Sequence, residues 1–173
     1  VEDAYDWTAL RTELSVSLVA DTTTYSVTGS GTNFKVFNVV DETSKNFVQY
    51  RGAAWMDNAN LVTPPSSGKP QSYCFKGVDV NGDDTVEIYP NPDKAYSLTF
   101  NSAVRTDVFT GDTDKLTVPS LPVVHMATAL GARERGETGG TSAAELFALA
   151  DVSLSDAIAY DSAKHPEETI WYS

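Results

Sequence analysis

"VNGDDTVEIYPNPDKAYSLTFN", residues 80–101, opens on a crowd of carboxylates around Asn81 and Gly82. That composition belongs to calcium loops and to β-hairpins alike. A helix-flanked calcium loop needs oxygen ligands at alternate positions, a glycine at the sixth place and a bidentate glutamate at the twelfth. Counted from Asp79, Asn81 is third and Asp83 fifth, but Asp84 takes the glycine's place and Pro90 the glutamate's. The register fails, and no metal site is expected. Asn-Gly is instead a strong hairpin signal, since both residues tolerate the positive φ of a type I′ turn. The flanks agree: "QSYCFKGVDV" precedes the turn, and "DTVEIYP" follows it with Val86, Ile88 and Tyr89 as a partly buried strand.

Outward from this hairpin the same texture continues. "ELSVSLV", "TTYSVTG", "NFKVFNVV", "KNFVQYR" and "AYSLTFN" are further short, β-rich segments, broken at "GSGTN", "TPPSSGKP" and "PNPDK". Seven strands at this spacing predict an antiparallel β-sandwich or small barrel over residues 1–119. Beyond "TVPSLP" the period turns helical. Val123, Val124, Met126, Ala127, Leu130 and Gly131 fall on one face, and "GETGG" ends that helix. A second helix is expected from Ser142, with Glu145 completing a capping box and Leu146, Phe147, Ala150, Leu154, Ala157 and Ile158 as its apolar face. The expected fold class is thus α+β: a β-rich domain (1–119), a helical hairpin (120–165) forming one structural unit with it, and an extended tail (166–173).

Pro166 cannot continue a helix and disfavours helical geometry at His165. The tail after it carries Ile170, Trp171 and Tyr172. Large apolar groups there either fold back onto their own domain or dock on another chain as a strand or aromatic anchor. At the other end, "VEDAYDWTALRTEL" reads as the end of a helix running into a strand, and further residues are expected upstream of Val1.

The composition excludes several classes of function. The chain has 173 residues, 41% of them hydrophobic, enough for one domain with a real core. Twenty-four acidic residues against twelve Lys and Arg give a formal charge of −12, which a phosphate backbone repels. Cys74 has no second thiol to pair with. No apolar run approaches the roughly 18 residues that cross a bilayer as a helix, so no membrane contact is expected.

Catalytic patterns are missing as well. His125 and His165 lack ligand spacing, and His125 reads as a packed or interfacial residue. There is no GxSxG elbow, and Cys74 sits inside a strand rather than at a helix start. "PPSSGKP" holds a Gly-Lys pair without the rest of a phosphate loop, and "GSGTN" is a turn with no dinucleotide fingerprint. The acids cluster in turns and on helix faces, where solvation accounts for them. Catalytic residues and cofactors are accordingly not expected. Trp7, Tyr25, Phe34, Phe37, Tyr50 and Trp55 could line a sugar groove, but core packing is the commoner use of aromatics in a strand-rich domain.

The order of the pieces resembles the head-to-tail adaptor proteins of tailed bacteriophages, the group that includes tail tubular protein A. "DWTALRTELSVSLVADTTTYSV" is similar to that family's Asp-Trp pair leading into a first strand and a following Tyr-containing strand. "SGKPQSYCF" resembles its Gly-x-Pro turn entering a strand, and "VEIYPNPDKAYSLTFN" its strand, Pro-x-Pro-Asp turn and strand. "KLTVPSLPVVHMATALGARERGETGG" resembles its leucine-proline entry into an alanine-rich helix with a second helix after it.

The resemblance implies a non-enzymatic virion protein at the head-to-tail interface, made in the host cytoplasm during assembly. It would form a ring, commonly of about twelve copies, closed by head-to-tail contacts. Its partners would be the portal protein above and a tail, nozzle or terminator protein below, with DNA passing through the channel without specific binding. Pro166, Ile170, Trp171 and Tyr172 would reach the portal or a neighbouring subunit. The helices would face inward, and the family's N-terminal helices would be missing from this chain. Two other classes fit the pattern less well: a secreted or surface β-sandwich that binds carbohydrate, and a different phage ring protein such as a tail terminator or head-completion protein.

Overall fold

The computed structural model describes residues 1–31, 34–61, 65–106, 111, 113–135 and 143–165. It divides into two compact units: Arg11–Arg105, which carries the strands, and Val1–Leu10 with Thr106–Ser173, which carries the two long helices. The β unit is therefore narrower than 1–119, and the residues on either side of it group with the helices.

In the β unit the chain forms β1 (Arg11–Leu18), β2 (Thr24–Ser26), β3 (Phe34–Asp41), β4 (Asn46–Tyr50), α1 (Ala53–Asn60), β5 (Ser67–Gly68), β6 (Ser72–Val78), β7 (Asp84–Tyr89), β8 (Asn91–Pro92) and β9 (Tyr96–Val104). All seven strands expected from the sequence join one sheet, in the order β1-β9-β3-β4-β6-β7-β2. Its edge strands β1 and β2 come together, so the sheet curls into a nearly closed barrel. Closure removes the exposed edges on which other chains could pair. Pairing is antiparallel except between β4 and β6, and between the short β5 and β8. Parallel neighbours need a crossover connection; α1 supplies part of the one from β4 to β6, burying Met56 completely.

Alternation explains what goes inside. Val16 and Leu18 of β1, Val86 and Ile88 of β7, and Tyr96, Leu98 and Phe100 of β9 stand two residues apart and share one core with Val39 and Val48. Each such side chain, fully buried, contributes about 1.5–3 kcal/mol. Two bulges reset the parity. Val36 faces Ser102 and Asn38 faces Asn101, which leaves Phe37 as the extra residue. Phe34 and Val36 therefore point inward before the bulge, and Val39 and Asp41 after it. Lys76 is the extra residue in β6, between Phe75 and Gly77.

The hairpin between β6 and β7 is present, but with a five-residue loop, Asp79–Asp83, in place of a two-residue type I′ turn. Gly82 takes φ +90°, and Asn81 is not among the residues of positive φ. The carboxylates hold the loop together. Asp79 Oδ1 accepts the amides of Asn81 (2.8 Å) and Asp83 (3.0 Å). Asp83 Oδ1 accepts those of Gly29 (3.0 Å) and Gly31 (3.2 Å), two glycines at φ +86° and +60°. The acidic turn thus pins the segment that follows β2 across the mouth of the hairpin.

The second unit begins with two 3₁₀ turns, Glu2–Ala4 and Thr8–Leu10, rather than the end of an α-helix. The Trp7 indole N–H donates to the Val1 carbonyl at 3.1 Å, which fixes the first turn locally. α2 (Ser120–Arg135) and α3 (Ala143–Ser162) follow and pack on one another. Pro122 lies in the first turn of α2, where a missing N–H costs nothing because the first amides of a helix have no partner within it. Ser142 of the expected capping box lies outside the described residues.

Candidate assembly surface

The two helices bury small residues and expose large ones. Fully buried on α2 are Pro122, Ala129 and Ala132, and on α3 Ala150, Ser153 and Asp161. Small side chains let helices approach closely, and the larger apolar groups lie around that contact, half-buried or exposed. On α3 the expected face turns inward: Leu146, Phe147, Leu154, Ala157 and Ile158 are half-buried around Ala150. On α2 it does not. Val124 is 56% exposed and Leu130 40%, with Ala127 also exposed, while the buried residues lie on the opposite side of the helix. A helix turns about 100° per residue, so a one-sided apolar count cannot tell a core face from an outward one when alanines and a proline fill the other side.

Two open grooves flank the pair. One, of about 510 Å³, runs along the outward stripe of α2, past Val124, Ala127, Thr128, Gly131 and Arg135 to Leu146 of α3. The other, of about 460 Å³, lies between Leu121, Pro122 and His125 on α2 and Leu149, Val152 and Tyr160 on α3, and ends at Lys164. His125 Nδ1 is buried there with no hydrogen-bond partner among the described residues. His125 is thus half-buried between the two helices.

Asp161 secures the end of α3. Its Oδ2 accepts the Thr8 amide at 2.8 Å and the Thr8 hydroxyl at 3.0 Å, and its Oδ1 accepts the Lys164 ammonium at 2.7 Å. His165 Nε2 lies 2.7 Å from the same Thr8 hydroxyl. Burial pushes the Asp161 carboxyl up, but these hydrogen bonds and the Lys164 charge outweigh it and hold the group below its ordinary value.

A further polar cluster lies outside the core of the β unit. Lys76, placed there by the β6 bulge, lies 2.8 Å from Asp57 of α1 and 3.0 Å from Glu87 of β7, and Asn60 donates to Glu87 at 3.0 Å. These contacts clip α1 to the sheet. Cys74 is buried beside them, and burial followed by the Glu87 charge pushes its thiol up, away from the thiolate that nucleophilic chemistry requires. Among the described residues, no group of three or more His, Cys, Asp or Glu is placed to hold a metal ion, and no helix is long and apolar enough to cross a membrane.

The six aromatics do not gather in a sugar groove. Trp7 is fully buried in the other unit, and Tyr25 and Phe34 pack against the barrel core. Phe37 lies beneath the Arg11 guanidinium at 4.7 Å, and Trp55 between Arg51 and the edge of Tyr89. Tyr50 stands edge-on to Tyr73.

No family model matches this chain, and neither does any curated protein. Pro166, Ile170, Trp171 and Tyr172 lie outside the described residues. Sequence reading missed the exposure of the α2 stripe and the second groove; a partial signal was Ala129 and Ala132, three residues apart on α2 and small enough for close packing.

Proposed function

We propose that the chain is a structural subunit of a phage head-to-tail adaptor ring, joining the portal to the tail around the DNA channel. The observation that carries the reading is the exposed apolar stripe on the helix pair. Val124, Ala127 and Leu130 form an apolar stripe on a surface that a lone soluble subunit has no reason to keep, and a neighbouring subunit would cover it. A ring closes when one face of a subunit meets an unlike face of the next. The remaining features support the same role. The barrel has few free edges, so it does not polymerise through its strands. A charge of −12 suits a channel wall past which DNA slides, because fixed negative charge offers no counterion release on binding. The resemblance in four stretches of sequence supplies the identity of the ring.

The test is peptide mass spectrometry on density-purified virus particles from the source culture. Co-purification at a copy number close to that of the portal is expected. Absence from the particles would refute the adaptor role and would make a glycan-binding screen the next experiment.

A further inference from the structure

We propose that the outer face of the junction between β4 and β6 is a binding site for an acidic saccharide, a sugar ring that carries a carboxylate. The site lies wholly within the β unit and is independent of the adaptor reading. Val48 points into the core, so Phe47, Gln49 and Arg51, its alternating neighbours, share the opposite face. Parallel pairing brings the residues before β6 alongside them: the Gln49 amide donates to the Gln71 carbonyl and the Arg51 amide to the Tyr73 carbonyl, both at 2.9 Å. Together with Asn46, Lys69 and Ser72, these residues line an open groove of about 430 Å³. That is within the size range of small-ligand clefts, roughly 300–1,000 Å³.

Charge selects an anion. The chain has 24 Asp and Glu against 12 Lys and Arg, yet this groove is lined by two cations and no carboxylate. Lys45, Lys76 and Lys164 each have a carboxylate within 2.7–3.0 Å, whereas Arg51 and Lys69 form no ion pair among the described residues. A cleft of one sign focuses its potential and draws in ligands of the other. Arg51 is held ready: its Nη2 donates to Gln49 Oε1 at 3.2 Å, and its guanidinium lies 5.4 Å from the centre of the Trp55 ring. The guanidinium fork matches a carboxylate with two parallel hydrogen bonds.

The remaining lining selects a sugar. Asn46, Gln49 and Gln71 each bring an amide with two N–H donors and a carbonyl acceptor. Sulfate or phosphate oxygens only accept and would leave those carbonyls idle; sugar hydroxyls both donate and accept. Phe47, 69% exposed on the same face, offers a flat apolar surface to the C–H face of a sugar ring. An acidic peptide has no strand edge to join here, because the amides of Gln49, Arg51 and Gln71 already donate to the carbonyls of Gln71, Tyr73 and Tyr89.

The experiment is isothermal titration calorimetry on the full chain with two uronic-acid oligomers, trigalacturonic acid and a hyaluronan tetrasaccharide. The methyl ester of the first and a hexaglutamate peptide serve as controls. At least one of the two acids is expected to bind, and the ester, which keeps the shape and loses the charge, to bind about tenfold more weakly or worse. Lys69→Ala and Phe47→Ala, both at exposed positions, are expected to weaken binding of the acid, with circular dichroism unchanged. Arg51→Lys is expected to weaken it as well, since lysine keeps the charge and lacks the fork. Binding of neither acid, or binding that all three variants leave unchanged, would overturn the site. Hexaglutamate binding as tightly as the saccharides would overturn the sugar and assign the groove to acidic protein segments. None of these results depends on whether the chain is found in virus particles, so this inference and the adaptor reading fail separately.

Discussion

The barrel and the helix pair solve opposite packing problems. In the barrel the large residues are inside: Leu18, Ile88, Leu98 and Phe100 are almost wholly buried, and alternation sends most polar residues out, with Asp41, Ser72 and Ser102 as exceptions. In the helix pair the buried residues are alanine, serine, proline and one aspartate, Leu146, Phe147, Leu154 and Ile158 are half-buried, and Leu121, Val124, Val152 and Tyr160 stand exposed. The barrel holds itself together with its own apolar surface. The helices leave part of theirs exposed, and that difference is the basis for proposing that assembly runs through the helices.

The contrast can be broken most sharply by truncating one large apolar side chain on each side. Phe100→Ala, in the barrel core, is expected to cost about 3–5 kcal/mol of unfolding free energy, read from urea denaturation. Leu130→Ala, on the open stripe of α2, is expected to change it by about 0.5 kcal/mol or less. Equal losses would mean that the α2 stripe is core and not surface.

A smaller effect concerns what ties the helical unit together. Asp161→Asn removes a charged acceptor from the Thr8 amide, the Thr8 hydroxyl and Lys164. It is expected to cost about 1–3 kcal/mol at neutral pH. The carboxyl is held below its ordinary 3.8 in the folded chain. Its contribution is therefore fully present above that value and is lost as pH falls through the depressed pKa. Thermal melts of wild type and variant should differ at neutral pH and converge in acid; a gap that stays constant with pH would remove Asp161 from this role.

The barrel was readable because a period of two is explicit in the residue order: Ser15, Val16, Ser17 and Leu18 announce their faces without help from the rest of the fold. The bulges at Phe37 and Lys76 were not readable. A one-residue insertion reverses the faces beyond it, and nothing in "NFKVFNVV" marks where that happens. α1 escaped notice because eight residues, "AAWMDNAN", are too few to display a helical period. Asn-Gly correctly marked a turn, but the Asp79 carboxylate accepts the Asn81 and Asp83 amides within a longer loop, and Asp83 ties that loop to Gly29 and Gly31. In the helical unit, the stripe of Val124, Ala127 and Leu130 was legible as a face and illegible as an exposed one. Which side of α2 is covered depends on α3, and the tie between Thr8 and Asp161 joins residues 153 positions apart. Contacts of that span leave no local pattern.

The account stands or falls on the outward stripe of α2. Native mass spectrometry of the full chain beside the double variant Val124→Asp, Leu130→Asp tests it directly, with circular dichroism confirming that both are folded. The account predicts closed oligomers for the wild type and monomers for the variant, with the fold unchanged. Identical mass distributions for the two proteins would contradict it.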